Sequence, residues 1–354
     1  MGHQHYIYTL TIITMQYYIW IDVSKKTLDI YHSQSNQYVS INNTEKDIKS
    51  FLKWIDKEQF VIFYEATWVY SSKLIKCLNN WWFIHSQIHP NTIHFISLGM
   101  SDRNKTDKID SYKIAQIWAV LLQNYNQNWL KCKLTVSNSN TINKLNSLMS
   151  EIYSMKKHIK ILKQNIDKLK NNVFASKDTI SFYEKQIQVF ASQIESINKQ
   201  IKLIIKEEWL EYKLENLMSI PSVWETVAIE LLIFFLSLSS KWFNKQDRSK
   251  LKAYVWIDPC DKQSGSSMKS VKISKKWNKK IRSSLYIISM TWFRLSNTDK
   301  YKDSSIAQFF NRSKNKFGDE RNKSTITAVS KKILLIAWWI FWNDKPFDYQ
   351  HHLV

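Results

Sequence analysis

Apolar and polar positions divide the chain into segments of different kinds. Residues 17–22 (YYIWID) form a short β-rich run that ends on Asp22. Residues 26–32 and 37–41 alternate as strands do, which predicts an antiparallel three-strand start. Asn43-Thr44-Glu45-Lys46 has the composition of a helix cap, and a helical pattern follows it through Trp54. Residues 60–64 (FVIFY) read as a buried strand ending at Glu65. A helix at about 69–80, a strand at 83–88 and a helix from Thr106 to about 122 complete an α/β domain over 17–135.

The pattern then changes. From 142 to 206, apolar residues recur at alternating spacings of three and four, from Leu145, Leu148, Ile152 and Met155 to Ile194, Ile197, Ile201 and Ile204. That is the heptad seam of a coiled coil, assigned to 136–212. A polar patch at Ser176–Asp178 interrupts it without shifting the register, so one long helix and a folded hairpin are equally compatible. Residues 213–300 read as a second, mostly helical domain, opened by Leu217-Met218-Ser219-Ile220-Pro221. Residues 300–323 are polar and charged and read as loop. A last apolar helix is expected over about 324–342, with a polar tail to 354. Residues 1–16 read as an N-terminal extension, of which 1–14 look like reading frame upstream of Met15.

Charge gives the pattern a partner. The 51 Lys and Arg against 30 Asp and Glu leave a formal charge of +21, which suits a polyanion, because cationic side chains displace counterions from phosphates. DNA or RNA is the expected partner; a ribosome-associated or merely basic protein is the alternative. The cysteines, Cys77, Cys132 and Cys260, are far apart and odd in number, with no zinc spacing; a reducing, cytoplasmic setting is expected, nucleoid-associated if the partner is DNA. The apolar runs near 227–238 and 333–342 fall short of the roughly 18 residues a membrane span needs. No membrane association is therefore expected.

Candidate chemistry sits at the element ends. Asp22 and Glu65 each close a predicted strand, and Asp107 and Asp110 share one face at the start of a predicted helix. Four converging carboxylates would hold one or two Mg²⁺, which takes oxygen ligands and leaves room for water and phosphate. Taken singly, each is also an ordinary solvated position, and the helix dipole favours Asp107 and Asp110. Downstream, Gln263-Ser264-Gly265-Ser266-Ser267 is a small-residue loop ahead of Lys269, Lys272, Lys275, Lys276, Lys279, Lys280 and Arg282. A serine hydroxyl beside cations suits attack on a DNA phosphate, although the stretch alone also reads as a polar linker and a solvated basic helix.

Five segments in order carry a resemblance: IxIDVSKKTLDI (19–30), FYEATWVYS (63–71), NKTDKIDSYKIA (104–115), AYVWIDPCDKQSGSS (253–267) and SKKWNKKIRSSLY (274–286). Together they resemble the DEDD transposases related to the Piv DNA invertase, insertion-sequence recombinases associated with a guiding bridge RNA. The resemblance implies a RuvC-like (RNase H fold) N-terminal domain with Asp22, Glu65, Asp107 and Asp110 as its acidic set. It also implies a long coiled-coil insertion and a mostly helical C-terminal transposase domain with Ser264 as nucleophile. DNA, a structured non-coding guide RNA, Mg²⁺ and a homo-oligomer (dimer or tetramer) through the coiled coil follow from it as expectations. Lys105 joins the basic residues as a nucleic-acid contact. A RuvC-like nuclease or invertase without transposition, and a catalytically decayed coiled-coil nucleic-acid binder, are the competing readings. Ile220-Pro221-Ser222-Val223-Trp224 resembles the family's I-P-G-[IV]-G turn, whose backbone N–H groups would contact phosphates.

One composition figure stands out. The chain has 4 Gly and 16 Trp, where roughly 25 Gly would be expected at a usual share of about 7%. Trp20, Trp68, Trp82, Trp224, Trp256 and Trp277 stand where the family has glycine. A Trp-rich core or base-stacking surface would account for the indoles but not for the missing glycines. The reading adopted is a UGA codon decoded as Trp in a chain whose source reads it as Gly, as some bacterial lineages do. Trp54, expected on a helix face, is set apart as a genuine Trp.

Overall fold

In the computed structural model the described residues are 17–65, 67, 69–88, 135–136, 138–240, 243–255, 259–260, 263–264, 267–268, 272–273, 279–317 and 322–348; for the two-residue strands this covers the backbone alone. The expected extension at 1–16, the helix from Thr106 and the residues after 348 lie outside them. The chain divides into two compact units, Met1–Asn140 with Ser240–Trp242 and Thr141–Ser239 with Phe243–Val354, and it is mostly helical beside one mixed sheet.

The first unit is built on that sheet. Its strands are β1 (Tyr17–Val23), β2 (Thr27–His32), β3 (Gln37–Asn42), β4 (Phe60–Glu65), β5 (His85–Ile88) and β6 (Thr135–Val136), in the order β3-β2-β1-β4-β5-β6. β1 and β2 are antiparallel, as are β2 and β3, while β4 runs parallel to both β1 and β5. The three-strand start therefore forms as expected. The alternation along the strands explains the layering. Ile19, Ile21, Val23, Leu28, Ile30, Ile62 and Tyr64 share one core with helix α1 (Glu45–Leu52) through Ile48 and Leu52 and with α2 (Ser72–Asn80) through Leu74, Cys77 and Leu78. Thr44 caps α1 by accepting the Asp47 N–H at 3.2 Å. α1 is shorter than the pattern implied: Lys53 caps it, and Trp54 lies beyond its end, 87% exposed. The expectation that Trp54 sits on a helix face is thus corrected.

The second unit holds the long seam as two helices, α3 (Asn140–Lys170) and α4 (Lys177–Glu207), so the hairpin is the form adopted. Thr141 bonds Glu208, the His158 ring lies tilted 5.9 Å from that of Phe190, and Lys170 pairs with Glu184, an antiparallel sequence of contacts. The Asn172 carboxamide accepts the Phe174 N–H, and Ser176 caps α4 by accepting the Asp178 N–H. The polar patch was the turn.

The base of the hairpin belongs to a larger core. Leu145, Ile152, Ile201 and Ile205 share a cluster with α5 (Glu211–Met218), α6 (Glu225–Ser239), α7 (Arg248–Val255), α8 (Lys279–Leu295), α9 (Ser305–Phe317) and α10 (Lys323–Asn343). The coiled coil and the helical domain are therefore one folded unit. α9 corrects the loop expected over 300–323: Ile306, Ala307, Phe310 and Ser313 form a buried stripe on an otherwise polar helix. α10 is long and apolar enough to cross a membrane by length and composition, and 67% of its apolar window is buried in the protein. Trp338 packs edge-on against Phe235 at 5.2 Å, which places this helix in the core.

Candidate functional site

Asp22 and Glu65 stand at the same level of the sheet. The β1–β4 register pairs Ile21 with Tyr64, so the next residues on the two parallel strands are the two acids. Both are half-buried, and alternation puts them on the face opposite Ile21, Val23 and Tyr64. Burial raises the pKa of Glu65, and the neighbouring Asp22 charge raises it further. Two carboxylates on adjacent strands, one of them reluctant to ionise, form an arrangement that a cation relieves.

Asp29 was missed in the sequence. It lies directly across the β1–β2 ladder from Asp22, and like charges opposite each other destabilise a sheet. No local signal marks it, since only the strand register places it there. Among the described residues no group of three or more His, Cys, Asp and Glu is close enough to hold a metal ion. Asp107 and Asp110, the other half of the expected set, lie outside the described residues, as does Lys105.

A buried polar chain lies on the other face of the sheet, in the same unit. The Tyr64 hydroxyl lies 3.2 Å from His85 Nδ1, and His85 Nε2 lies 2.9 Å from Asn79 Oδ1. The Asn79 amide group donates to Asn138 O and Asn140 Oδ1. Its oxygen is therefore the acceptor for His85, which fixes the neutral ring with its proton on Nε2. Burial lowers the His85 pKa to about 3.

In the helical unit the described residues of the serine segment are short paired strands. Strands β7 (Pro259–Cys260) and β10 (Lys272–Ile273) pair antiparallel, and between them β8 (Gln263–Ser264) pairs antiparallel with β9 (Ser267–Met268). Ser264 thus stands opposite Ser267 with two residues of chain between them.

The basic residues divide. Lys269, Lys275 and Lys276 lie outside the described residues, and Lys272 is placed by its backbone in β10. Lys279 and Lys280 open α8, whose first turn has no acidic residue. Two cations at the positive end of a helix dipole are unfavourable unless an anion joins them. Lys280 is partly committed: its ammonium lies 4.3 Å from the Tyr153 ring and 3.4 Å from Ser150 Oγ, and burial lowers its pKa. Arg282 reaches the Val255 carbonyl at 3.4 Å. Below them Ser284 donates to the buried Glu230 carboxylate, whose pKa burial raises.

The suspect tryptophans also separate. Trp68, Trp256 and Trp277 lie outside the described residues. Trp20 is buried in β1, and its indole N–H has no hydrogen-bond partner. Trp224 precedes α6 and is 45% exposed. Trp82 has φ 59°. In the Ile220–Trp224 turn the positive φ falls on Ser222, at 70°, where the resembled motif has its first glycine.

Residues 214–303 match the family model described as Transposase IS116/IS110/IS902 family. The matched segment runs from α5 past α8 and includes Ser264, Lys279, Lys280 and Glu230; Asp22 and Glu65 lie outside it. The match supports an insertion-sequence transposase, a DNA-binding enzyme of the recombinase class. No curated protein matches the chain.

Proposed function

We propose that this protein is an insertion-sequence transposase that cuts and rejoins DNA with an acidic site in the sheet unit and Ser264 in the helical unit, guided by a structured non-coding RNA. The observation that carries the reading is the transposase match over the segment that bears Ser264 and the basic start of α8. The Asp22–Glu65 pair supports the acidic half: it supplies oxygen donors on adjacent strands, and burial, then the Asp22 charge, raise the pKa of Glu65. That donor set fits Mg²⁺, with Asp107 and Asp110 as the remaining ligands. When bound, the ion would supply charge neutralisation at a reacting phosphate. The strand order and the single antiparallel strand, β2, among β1 to β5 support a RuvC-like domain.

In the proposed reaction the Ser264 hydroxyl attacks a DNA phosphate. A serine–DNA phosphodiester forms, one strand end leaves as a hydroxyl, and attack by a new strand end releases the serine. Lys279 and the N-terminus of α8 would hold the flanking backbone. The hairpin of α3 and α4 supports assembly into a homo-oligomer, since Val173 and Phe174 at its tip are 94% and 95% exposed.

The test is cleavage of supercoiled DNA by the protein with its RNA and Mg²⁺. Activity should be lost in both Asp22→Ala and Ser264→Ala, and full activity in either overturns the assignment. Cleavage that survives only in Ser264→Ala indicates a RuvC-like nuclease or invertase. Nucleic-acid binding indifferent to Mg²⁺, with no cleavage, indicates a decayed binder.

A further inference from the structure

Two helices end in the same way. α2 is capped by Trp81, and the next residue, Trp82, has φ 59°. The Trp82 N–H donates to Asn79 O at 3.3 Å, and the Phe83 N–H donates to Leu78 O at 3.1 Å. α4 is capped by Glu208, and the next residue, Trp209, has φ 56°. The Trp209 N–H donates to Lys206 O at 3.0 Å, and the Leu210 N–H donates to Ile205 O at 2.9 Å. Each is a complete Schellman motif, in which the last carbonyls of the helix are satisfied only if the residue after the cap turns left-handed. That position takes glycine because any Cβ crowds the following carbonyl.

The other non-glycine residues with positive φ among the described residues are Asn36, Ser222 and Asp344. Asn and Asp reach this region with help from their short polar side chains, which an indole lacks. Nor does the indole gain anything by being there. Trp82 and Trp209 are 83% and 84% exposed, so neither ring is packed. The packing belongs to the flanks: Leu78 and Phe83 are buried at the first turn, and Ile205 at the second. Both backbones are shaped for glycine, and both side chains are bystanders.

We infer that position 209, like position 82, is glycine in the protein as its source makes it. Nothing in the sequence pattern singles out Trp209, and the inference rests on backbone geometry alone, independent of the proposed function. It extends the recoded set to a site outside the resembled motifs. Trp20 and Trp224 have no positive φ, so the backbone does not demand glycine there. The two caps matter to the site. The first delivers β5 to β4, where Ile88 pairs with Glu65, and the second delivers α5, where the transposase match begins.

Two measurements test this. Peptide mass spectrometry of the protein purified from its source should find glycine at 82 and 209; tryptophan at 209 overturns the inference. In the chain made with tryptophan throughout, Trp82→Gly and Trp209→Gly should each raise the thermal midpoint by a few degrees. Trp82→Ala and Trp209→Ala should raise it less, since alanine keeps the Cβ. Equal gains for Gly and Ala would mean that only an exposed ring was removed. No gain for Gly would mean that the turns do not need it. Either result sinks the idea, as does base stacking by a native Trp209.

Discussion

Glu65 faces Asp22 across the β1–β4 ladder, and burial, then the Asp22 charge, make the Glu65 carboxylate reluctant to ionise. A divalent cation would remove that conflict. Mg²⁺ should therefore raise the thermal midpoint of the native sequence and leave Asp22→Asn nearly unmoved. At Mg²⁺ one hundred times its Kd the lost stabilisation is about 2.7 kcal/mol. Scanning calorimetry with and without Mg²⁺ reads it directly, and an equal response in both proteins would count against the pair as ligands.

His85 sets an acid limit for the sheet unit. Its folded pKa is depressed to about 3 by burial. A depressed histidine contributes stability above its unfolded value of about 6.5 and loses it as pH falls toward 3, because only the unfolded chain takes up the proton. Unfolding midpoints should drop steadily over that window. His85→Gln should flatten the drop while being less stable at neutral pH; an unchanged slope would show that other groups dominate.

Glu230 works in the opposite direction. Its pKa is raised by burial, against the opposing Ser284 hydrogen bond. Its contribution is therefore complete below the unfolded glutamate value and fades as pH rises through the folded one. Glu230→Gln keeps an acceptor for Ser284 without a buried charge. It should match the native stability near pH 4 and exceed it near pH 8, measured by denaturant midpoints at the two pH values.

Phe310 tests whether α9 is part of the core. It is 2% exposed on a helix whose outer face is polar. Phe310→Ala should cost about 3–5 kcal/mol in denaturant unfolding. A change of only about 0.5 kcal/mol, the usual effect at a surface position, would return the segment to loop.

Phe174 offers the contrasting case. At 95% exposed it holds nothing together within the chain. Phe174→Ser should leave stability within about 0.5 kcal/mol and weaken self-association in sedimentation velocity. An unaltered sedimentation profile would remove the hairpin tip from the proposed oligomer contact.

The sequence showed most plainly what local pattern determines. Alternation and turn chemistry were enough for β1 to β4, the Thr44 cap and the strand end at Glu65. The seam of α3 and α4 was equally visible, but its fold was not. An antiparallel hairpin needs an apolar stripe on both arms, so an unbroken register says nothing about a turn. α9 was hidden because five buried positions, two of them serines, stand among many polar ones and leave the average polar. Asp29 and Trp209 were illegible for another reason: one depends on strand register, the other on a backbone dihedral, and neither has a local signature. The acidic pair was legible from strand ends. The tertiary reason for it, the raised pKa of Glu65, needed the register that brings Asp22 alongside.

Each arm of the α3–α4 hairpin is 31 residues, about 46 Å at ~1.5 Å per residue. That equals the length of about 14 base pairs of B-DNA at ~3.4 Å each. Because Leu145, Ile152, Ile201 and Ile205 at its foot share one core with α5, α6 and α8, the hairpin is a lever rooted in the unit that carries Ser264. Whatever grips Phe174 applies its torque to the helices that carry the Ser264 segment.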